Sequence, residues 1–269
     1  MRHLRPRKSL GQSFLTHEPT ADALVAALDV SAEDTVLEVG PGKGVLTRRL
    51  LAHAGRVVAV EIDPRLVDGL LAELGSNPKL ALVQADFMSF DLSRFRAVKV
   101  MGNLPYNLSS QMLFRLLEFI EHWQRAVLTT QREFAGRLLG RPGTKEYGAL
   151  TVFFERLFER KKLFNIPPSC FKPRPDVVST SFRLTRRTQP LFPVADEELF
   201  RRVVKSCFIQ RRKTIANNLR AGLGLDRATL SVVLEAADID PACRAESLAA
   251  VQFKGLADAL AACAGSSSR

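Results

Sequence analysis

The stretch Thr35-Val36-Leu37-Glu38-Val39-Gly40-Pro41-Gly42-Lys43-Gly44, followed directly by Val45 to His53, constrains the fold more than any other part of the chain. An apolar, β-rich run ends in alternate glycines, and a segment with helical spacing begins at once. That is a strand, a glycine turn and a helix. Glycines let the backbone pass close to a ligand, and the helix start offers unpaired N–H groups. The pattern recurs downstream. Strands are expected at 56–62, 80–86, 98–102 and 126–130, alternating with helices at 64–74, 109–120 and 131–139. A helix at 18–28, with Thr16 as its cap and Pro19 in its first turn, precedes them. Another helix is expected at 148–157, an extended piece at 163–167 and an alternating last strand at 176–185. Such alternation implies a parallel sheet with helices on both faces.

After Thr188-Gln189-Pro190-Leu191-Phe192-Pro193 the strand signals stop, and 196–208, 213–221, 226–237 and 247–264 read as four helices. The expected division is therefore an α/β domain over 1–187, with 1–8 a basic tail that either touches phosphates or is plainly disordered, and a small all-helical domain over 188–269. No internal repeat is visible.

In an open α/β sheet, ligands bind beyond the carboxyl ends of the strands, so the residues there carry the functional reading. Glu61 ends the second expected strand, about twenty residues past the glycine turn, where an acid can accept both hydroxyls of a ribose. A nicotinamide fingerprint wants a third glycine where Val45 stands, and no Gly-Lys-Ser/Thr sequence follows, which excludes a P-loop. The spacing suits S-adenosylmethionine better. Asp86 ends the third strand and has two readings: an acceptor for the adenine N6 of that cofactor, or a turn aspartate.

The fourth strand runs into Asn103-Leu104-Pro105-Tyr106. The Asn103 carboxamide oxygen and the Leu104 carbonyl can accept hydrogen bonds, Pro105 biases Leu104 toward an extended conformation, and Tyr106 offers a flat face. An exocyclic amine on a planar base matches that set. The loop Ser169-Cys170-Phe171-Lys172-Pro173-Arg174-Pro175 also has two readings. In one, Phe171 stacks on the other face of the target base while Lys172 and Arg174 hold phosphate. In the other, the loop is a rigid connector whose phenylalanine plugs the core.

A net charge of +11 points to a phosphate polyanion as partner. From Leu199 to Arg220 the bases Arg201, Arg202, Lys205, Arg211, Arg212, Lys213 and Arg220 occur with no acid among them, which reads as a phosphate-binding face. Cys170, Cys207, Cys243 and Cys263 are scattered, and the four histidines have no ligand spacing, so reduced thiols, a cytoplasmic location and no metal are expected. No apolar run is long enough to span a bilayer.

The chain resembles the ribosomal RNA adenine N6-dimethyltransferases. The motifs named above carry that resemblance, joined by Lys8-Ser9-Leu10-Gly11-Gln12-Ser13-Phe14-Leu15 and Asp176-Val177-Val178-Ser179. Phe208-Ile209-Gln210-Arg211-Arg212-Lys213-Thr214 points to the small-subunit branch. The resemblance implies a Rossmann-like class I methyltransferase fold and S-adenosylmethionine as cofactor. It implies cofactor contacts at Ser13, Leu15, Gly40, Gly42, Glu61, Asp86 and Asn103, although the family usually has asparagine where Ser13 stands. It further implies that two adjacent adenines in a hairpin loop near the 3′ end of 16S rRNA are each dimethylated in the immature small subunit, with loss of the mark linked to kasugamycin resistance; a monomer is expected, although the sequence does not fix the oligomeric state. The large-subunit enzymes of macrolide resistance, a non-catalytic assembly factor and a DNA adenine methyltransferase are the rival readings.

Overall fold

The computed structural model describes Arg7 and residues 11–266; most of the expected basic tail at 1–8 lies outside the described residues. In chain order the elements are β1 (Phe14–Leu15), α1 (Glu18–Leu28), β2 (Thr35–Val39), α2 (Val45–His53), β3 (Arg56–Glu61), α3 (Pro64–Leu74), β4 (Leu80–Gln84) and β5 (Val98–Asn103). Next come α4 (Ser109–Glu118), β6 (Trp123–Gln131), α5 (Arg132–Leu139), α6 (Ala149–Leu157), β7 (Phe158–Ile166), β8 (Phe171–Lys172) and β9 (Ser179–Arg186). Four helices follow: α7 (Glu197–Cys207), α8 (Ile215–Leu223), α9 (Arg227–Ala236) and α10 (Ala250–Ser266).

Backbone contacts divide the chain into Met1–Ala135 with Glu159–Arg186, and Gly136–Phe158 with Arg187–Arg269. The sequence reading placed 136–158 with the first domain. The contact division differs there, because α6 packs against the helical region: Phe153 meets Phe200 edge-on at 6.2 Å. Arg156, 5 % exposed, is held in the same cluster by the Phe192 carbonyl and Glu197.

The first unit carries a seven-stranded sheet in the order β4-β3-β2-β5-β6-β9-β7. The pairs from β4 to β6 are parallel, and β2, β3 and β5 are buried nearly throughout, as strands covered on both faces must be. Helix α1 closes one face by seating Leu24, Val25 and Leu28 in a cluster with Val36, Leu50, Val57 and Met101. The sheet is not wholly parallel as the alternation suggested, since β9 runs antiparallel to β6. Strand β7 starts at Phe158, immediately after α6, rather than near 163. Its Glu159-Arg160-Lys161-Lys162 run is charged, which suits β7's place at an edge of the sheet, where charge protects an open ladder. One helix start differs from the expected Thr16 cap, and the start of α4 has no side-chain cap. His17, not Thr16, caps α1 through its ring nitrogen, and Leu108 precedes α4, leaving the Ser109 hydroxyl to donate to the Pro105 carbonyl.

Among the described residues no helix is long and apolar enough to cross a membrane, and no group of three or more His, Cys, Asp or Glu could hold a metal ion.

Candidate functional site

Register places the functional strand ends side by side. Val39 pairs with Val60 on one side and Gly102 on the other, and Glu61 pairs with Gln84. The residues that follow β2, end β3, follow β4 and end β5 are therefore Gly40, Glu61, Asp86 and Asn103, and all four line one pocket. Ser13, Leu15, Gly42, Leu104, Pro105 and Tyr106 line it too. Every expected cofactor contact and four of the five expected catalytic residues thus meet in one place.

Gly40 sits at φ +68, which side chains rarely adopt, and a Cβ there would meet nothing within 4 Å: the space beside its backbone is open. Glu61, 5 % exposed, accepts from the Gly42 amide at 3.1 Å and the Asp63 amide at 3.0 Å, one on each oxygen. Burial raises its pKa, and those amides oppose the rise. Asp86 is exposed and accepts from the Met88 amide at 2.8 Å, so the turn reading holds locally while the residue still borders the pocket.

Asn103 carries the sharpest asymmetry. Its Nδ2 donates to the Ser13 carbonyl at 3.0 Å, whereas its Oδ1 is buried with no partner. Buried acceptors are normally satisfied, so an orphan at a pocket wall marks a place for an external donor. The Leu104 amide donates to the Thr129 carbonyl at 3.0 Å, which pins the motif to β6. Tyr106 is half-buried, and its hydroxyl lies 2.7 Å from Ser179 Oγ, which fixes one edge of the ring. Sequence reasoning assigned Ser179 no such role, because the bond joins residues 73 apart.

Phe171 requires a correction. It is 4 % exposed, does not line the pocket and belongs to the cluster of Leu15, Leu24, Ile166 and Cys170. The β1–β8 pairing, Leu15 opposite Phe171, turns its ring inward, so it is a core residue and not a stacking surface. Lys172 and Arg174 beside it are exposed. In the helical unit Arg201, Arg202, Lys205, Arg211, Arg212, Lys213 and Arg220 are all exposed. Arg211 is also anchored on one side: its Nη2 donates to the main-chain carbonyls of Lys145 and Tyr147, while the residue stays exposed.

Behind the glycine turn, Glu38 is 1 % exposed and neither carboxylate oxygen has a hydrogen-bond partner. Burial pushes its pKa from 4.5 up to about 8; Thr47 and Arg48 oppose the rise and Glu61 adds to it. Thr47 is the larger of the two groups that oppose the rise, although its Oγ1 makes no hydrogen bond of full geometry. The folded state then holds a proton that the unfolded chain gives up. The resulting stability is full below pH 4.5 and is lost as pH rises through about 8. Glu38→Gln is expected to flatten the fall in Tm across that window, because it removes a pH-dependent contribution to stability on the order of a few kcal/mol. Melting curves at several pH values read this directly; parallel profiles for both proteins would contradict it.

The family profile described as "Ribosomal RNA adenine dimethylase" matches residues 3–260. The chain is 40% identical to a ribosomal RNA small subunit methyltransferase A of Geobacter sulfurreducens, covering 98% of each chain. It is 40% identical to the protein of the same name from Myxococcus xanthus, over 96% of this chain and 92% of that one. Among solved structures, a dimethyladenosine transferase from Plasmodium falciparum superposes with a TM-score of 0.80 at 25% identity, covering 90% of this chain and 95% of that one. The 23S rRNA methyltransferase ErmE superposes at 0.72 and 30% identity, covering 92% of this chain and 99% of that one. The sheet and its flanking helices are those of the class I methyltransferases, and a match of this length and identity makes the chain a member of the ribosomal RNA adenine dimethylase family.

Proposed function

We propose that this protein uses S-adenosylmethionine to dimethylate N6 of two adjacent adenines in a hairpin loop near the 3′ end of 16S rRNA, acting on the immature small ribosomal subunit. The observation that carries the reading is the buried, unpartnered Asn103 Oδ1 at the wall of a pocket shared with Gly40 and Glu61. The residues present fit the cofactor: Gly40 leaves room beside its backbone, and each Glu61 oxygen keeps a lone pair for a ribose hydroxyl. Ser13, Leu15, Gly42 and Asp86 complete the set that would hold it. When bound, S-adenosylmethionine supplies a methyl group made electrophilic by a sulfonium.

The chain's own task is placement. An adenine N6 lone pair is delocalised into the ring and is a poor nucleophile. Acceptance of its two N–H groups by Asn103 Oδ1 and the Leu104 carbonyl favours a more tetrahedral nitrogen with its lone pair free. Tyr106, fixed at its hydroxyl by Ser179, stacks on one face of the base. The target must leave its own stack, which costs less in a hairpin loop than in a duplex. No strong base is needed, because the methylated nitrogen is acidic and sheds its proton to water.

Radiolabelled methyl transfer tests the reading, with mapped products on immature small subunits and on large-subunit RNA. Label confined to two neighbouring adenines of the small subunit is expected; label on the large subunit, or none, would sink it. For the helical unit, Arg212→Ala with Lys213→Ala is expected to lower the slope of log affinity against log salt by roughly 2 for immature subunits, with the cofactor Kd unchanged. An unchanged slope would take these two residues out of the RNA interface.

A further inference from the structure

The segment from Gly11 to Thr16 is tied down at several points around the pocket. Gln12 Nε2 donates to Asp63 Oδ2 at 3.0 Å. The Ser13 carbonyl accepts from Asn103 Nδ2 at 3.0 Å, and Ser13 Oγ donates to the Pro173 carbonyl at 2.9 Å. Phe14 and Leu15 pair with Lys172 and Phe171, and the Thr16 amide donates to the Cys170 carbonyl at 2.8 Å. Gly11 lies at φ +59 so close to the catalytic motif that a Cβ would fall 2.9 Å from Asn107 Oδ1 and 3.5 Å from Pro105 Cβ. The segment is a strap laid across the pocket, with the Asn103 carboxamide clipped beneath it.

A carboxamide is nearly symmetric in shape, and its two ends differ only in chemistry. If Asn103 turned over, it would present N–H groups to the substrate amine and repel it. The Ser13 carbonyl prevents this by accepting Nδ2, so the buried free atom is the oxygen. The position of that carbonyl is set by what anchors the strap. On the C-terminal side the anchor is a two-residue ladder. On the N-terminal side it is Gln12 on Asp63.

Asp63 is a rigid anchor. It is fully buried, it caps α3 by accepting from the Arg65 amide, and the Arg65 guanidinium reaches both of its oxygens. The hydrogen bonds from Arg65 are the largest cause holding its pKa far below the usual carboxylate range, and the Gln12 amide adds to them. Asp63 therefore stays a carboxylate at neutral pH, an acceptor for the Gln12 side chain.

We propose that Gln12 is a positioning residue for methyl transfer: by binding Asp63 it holds the Ser13 carbonyl against the Asn103 amide, so that oxygen and not nitrogen faces the target amine. This rests on the amine-acceptor role given to Asn103 above. Nothing in the strap is chemically reactive; Gln12 also lines the pocket, and the role assigned to it runs through Asn103. Its type matters because the link needs a donor on a side chain long enough to reach α3.

Gln12→Met keeps length and volume and removes the donor. In the protein without cofactor, the Asn103 side-chain amide protons are expected to lose at least tenfold in exchange protection, and the amides of residues 14–16 to exchange faster, with Tm lowered by no more than a few degrees for the donor taken from buried Asp63. With cofactor and immature subunits, kcat is expected to fall about tenfold with KM for RNA unchanged. Unchanged Asn103 amide signals overturn the proposal whatever the activity. A weaker cofactor Kd with those signals intact also overturns it, by making Gln12 a cofactor contact. If the wild-type protein methylates no RNA, the reading under Proposed function fails separately, and the amide signals still decide whether Gln12 sets the Asn103 orientation.

Discussion

Asn103→Ala is expected to reduce single-turnover methyl transfer by a factor on the order of 10²–10³, about 3–4 kcal/mol of transition-state stabilisation, while binding of immature subunits stays within twofold. The argument is electrostatic. Oδ1 is already desolvated and unpartnered before any substrate arrives, so its orientation cost has been met in folding. A preorganised partner of this kind acts most on the state in which the amine nitrogen gains positive character and its N–H groups become stronger donors. Ground-state RNA affinity comes largely from phosphate contacts elsewhere and should not register the change. Folding stability should shift by only about 1 kcal/mol, since the truncation leaves one carbonyl, that of Ser13, without its donor. Asn103→Asp is the sharper control. It keeps an acceptor toward the substrate but sets a carboxylate oxygen against the Ser13 carbonyl, so it should also lose rate. Full activity in either variant would remove Asn103 from the chemistry.

The strands that build this pocket were legible because each is a short apolar run ending in one polar or glycine residue: Val39 before Gly40, Val60 before Glu61, Met101 and Gly102 before Asn103. Local pattern decides such elements, and parallel register then aligns their ends without further information. What escaped the sequence depends on long-range contacts. The β1–β8 ladder is two residues long on each side, too short for any periodicity, and its strap is fastened by a bond between Ser13 and Pro173, 160 positions apart. Edge strand β7 hid in a charged run whose polarity suits an edge but mimics a loop. Arg211 looked like its neighbours Arg212 and Lys213, and only the fold of the loop after Arg141 reveals that carbonyls hold its Nη2. Charge count alone does not distinguish an arginine aimed at solvent from one that bolts two loops together.

Phe171→Ala is expected to destabilise the protein by about 3–5 kcal/mol, the cost of removing a buried ring plus the cavity left behind. The ring is 4 % exposed and packs among Leu15, Leu24, Ile166 and Cys170, with two neighbouring chain segments to fix its volume and little freedom to collapse. At roughly 2–4 °C per kcal/mol for a chain of this size, thermal unfolding should shift down by about 10 °C. Phe171→Leu fills most of the same space and should lose about 1.5 kcal/mol or less if the core repacks around it. A stacking role predicts the reverse pattern: both variants would keep their Tm, and both would lose methyl transfer, because leucine offers no flat face to a base. The two readings therefore separate on one pair of melting curves. If Phe171→Ala melts within 2 °C of the wild type and transfer to RNA still collapses, the ring must leave the core to meet the base, and its place in the hydrophobic cluster is only a resting position. If the melting point falls as expected and Phe171→Leu retains activity, the target base is held by Tyr106 on one face alone among these two rings, and Phe171 serves the site only by securing Leu15 and the strap above the cofactor pocket.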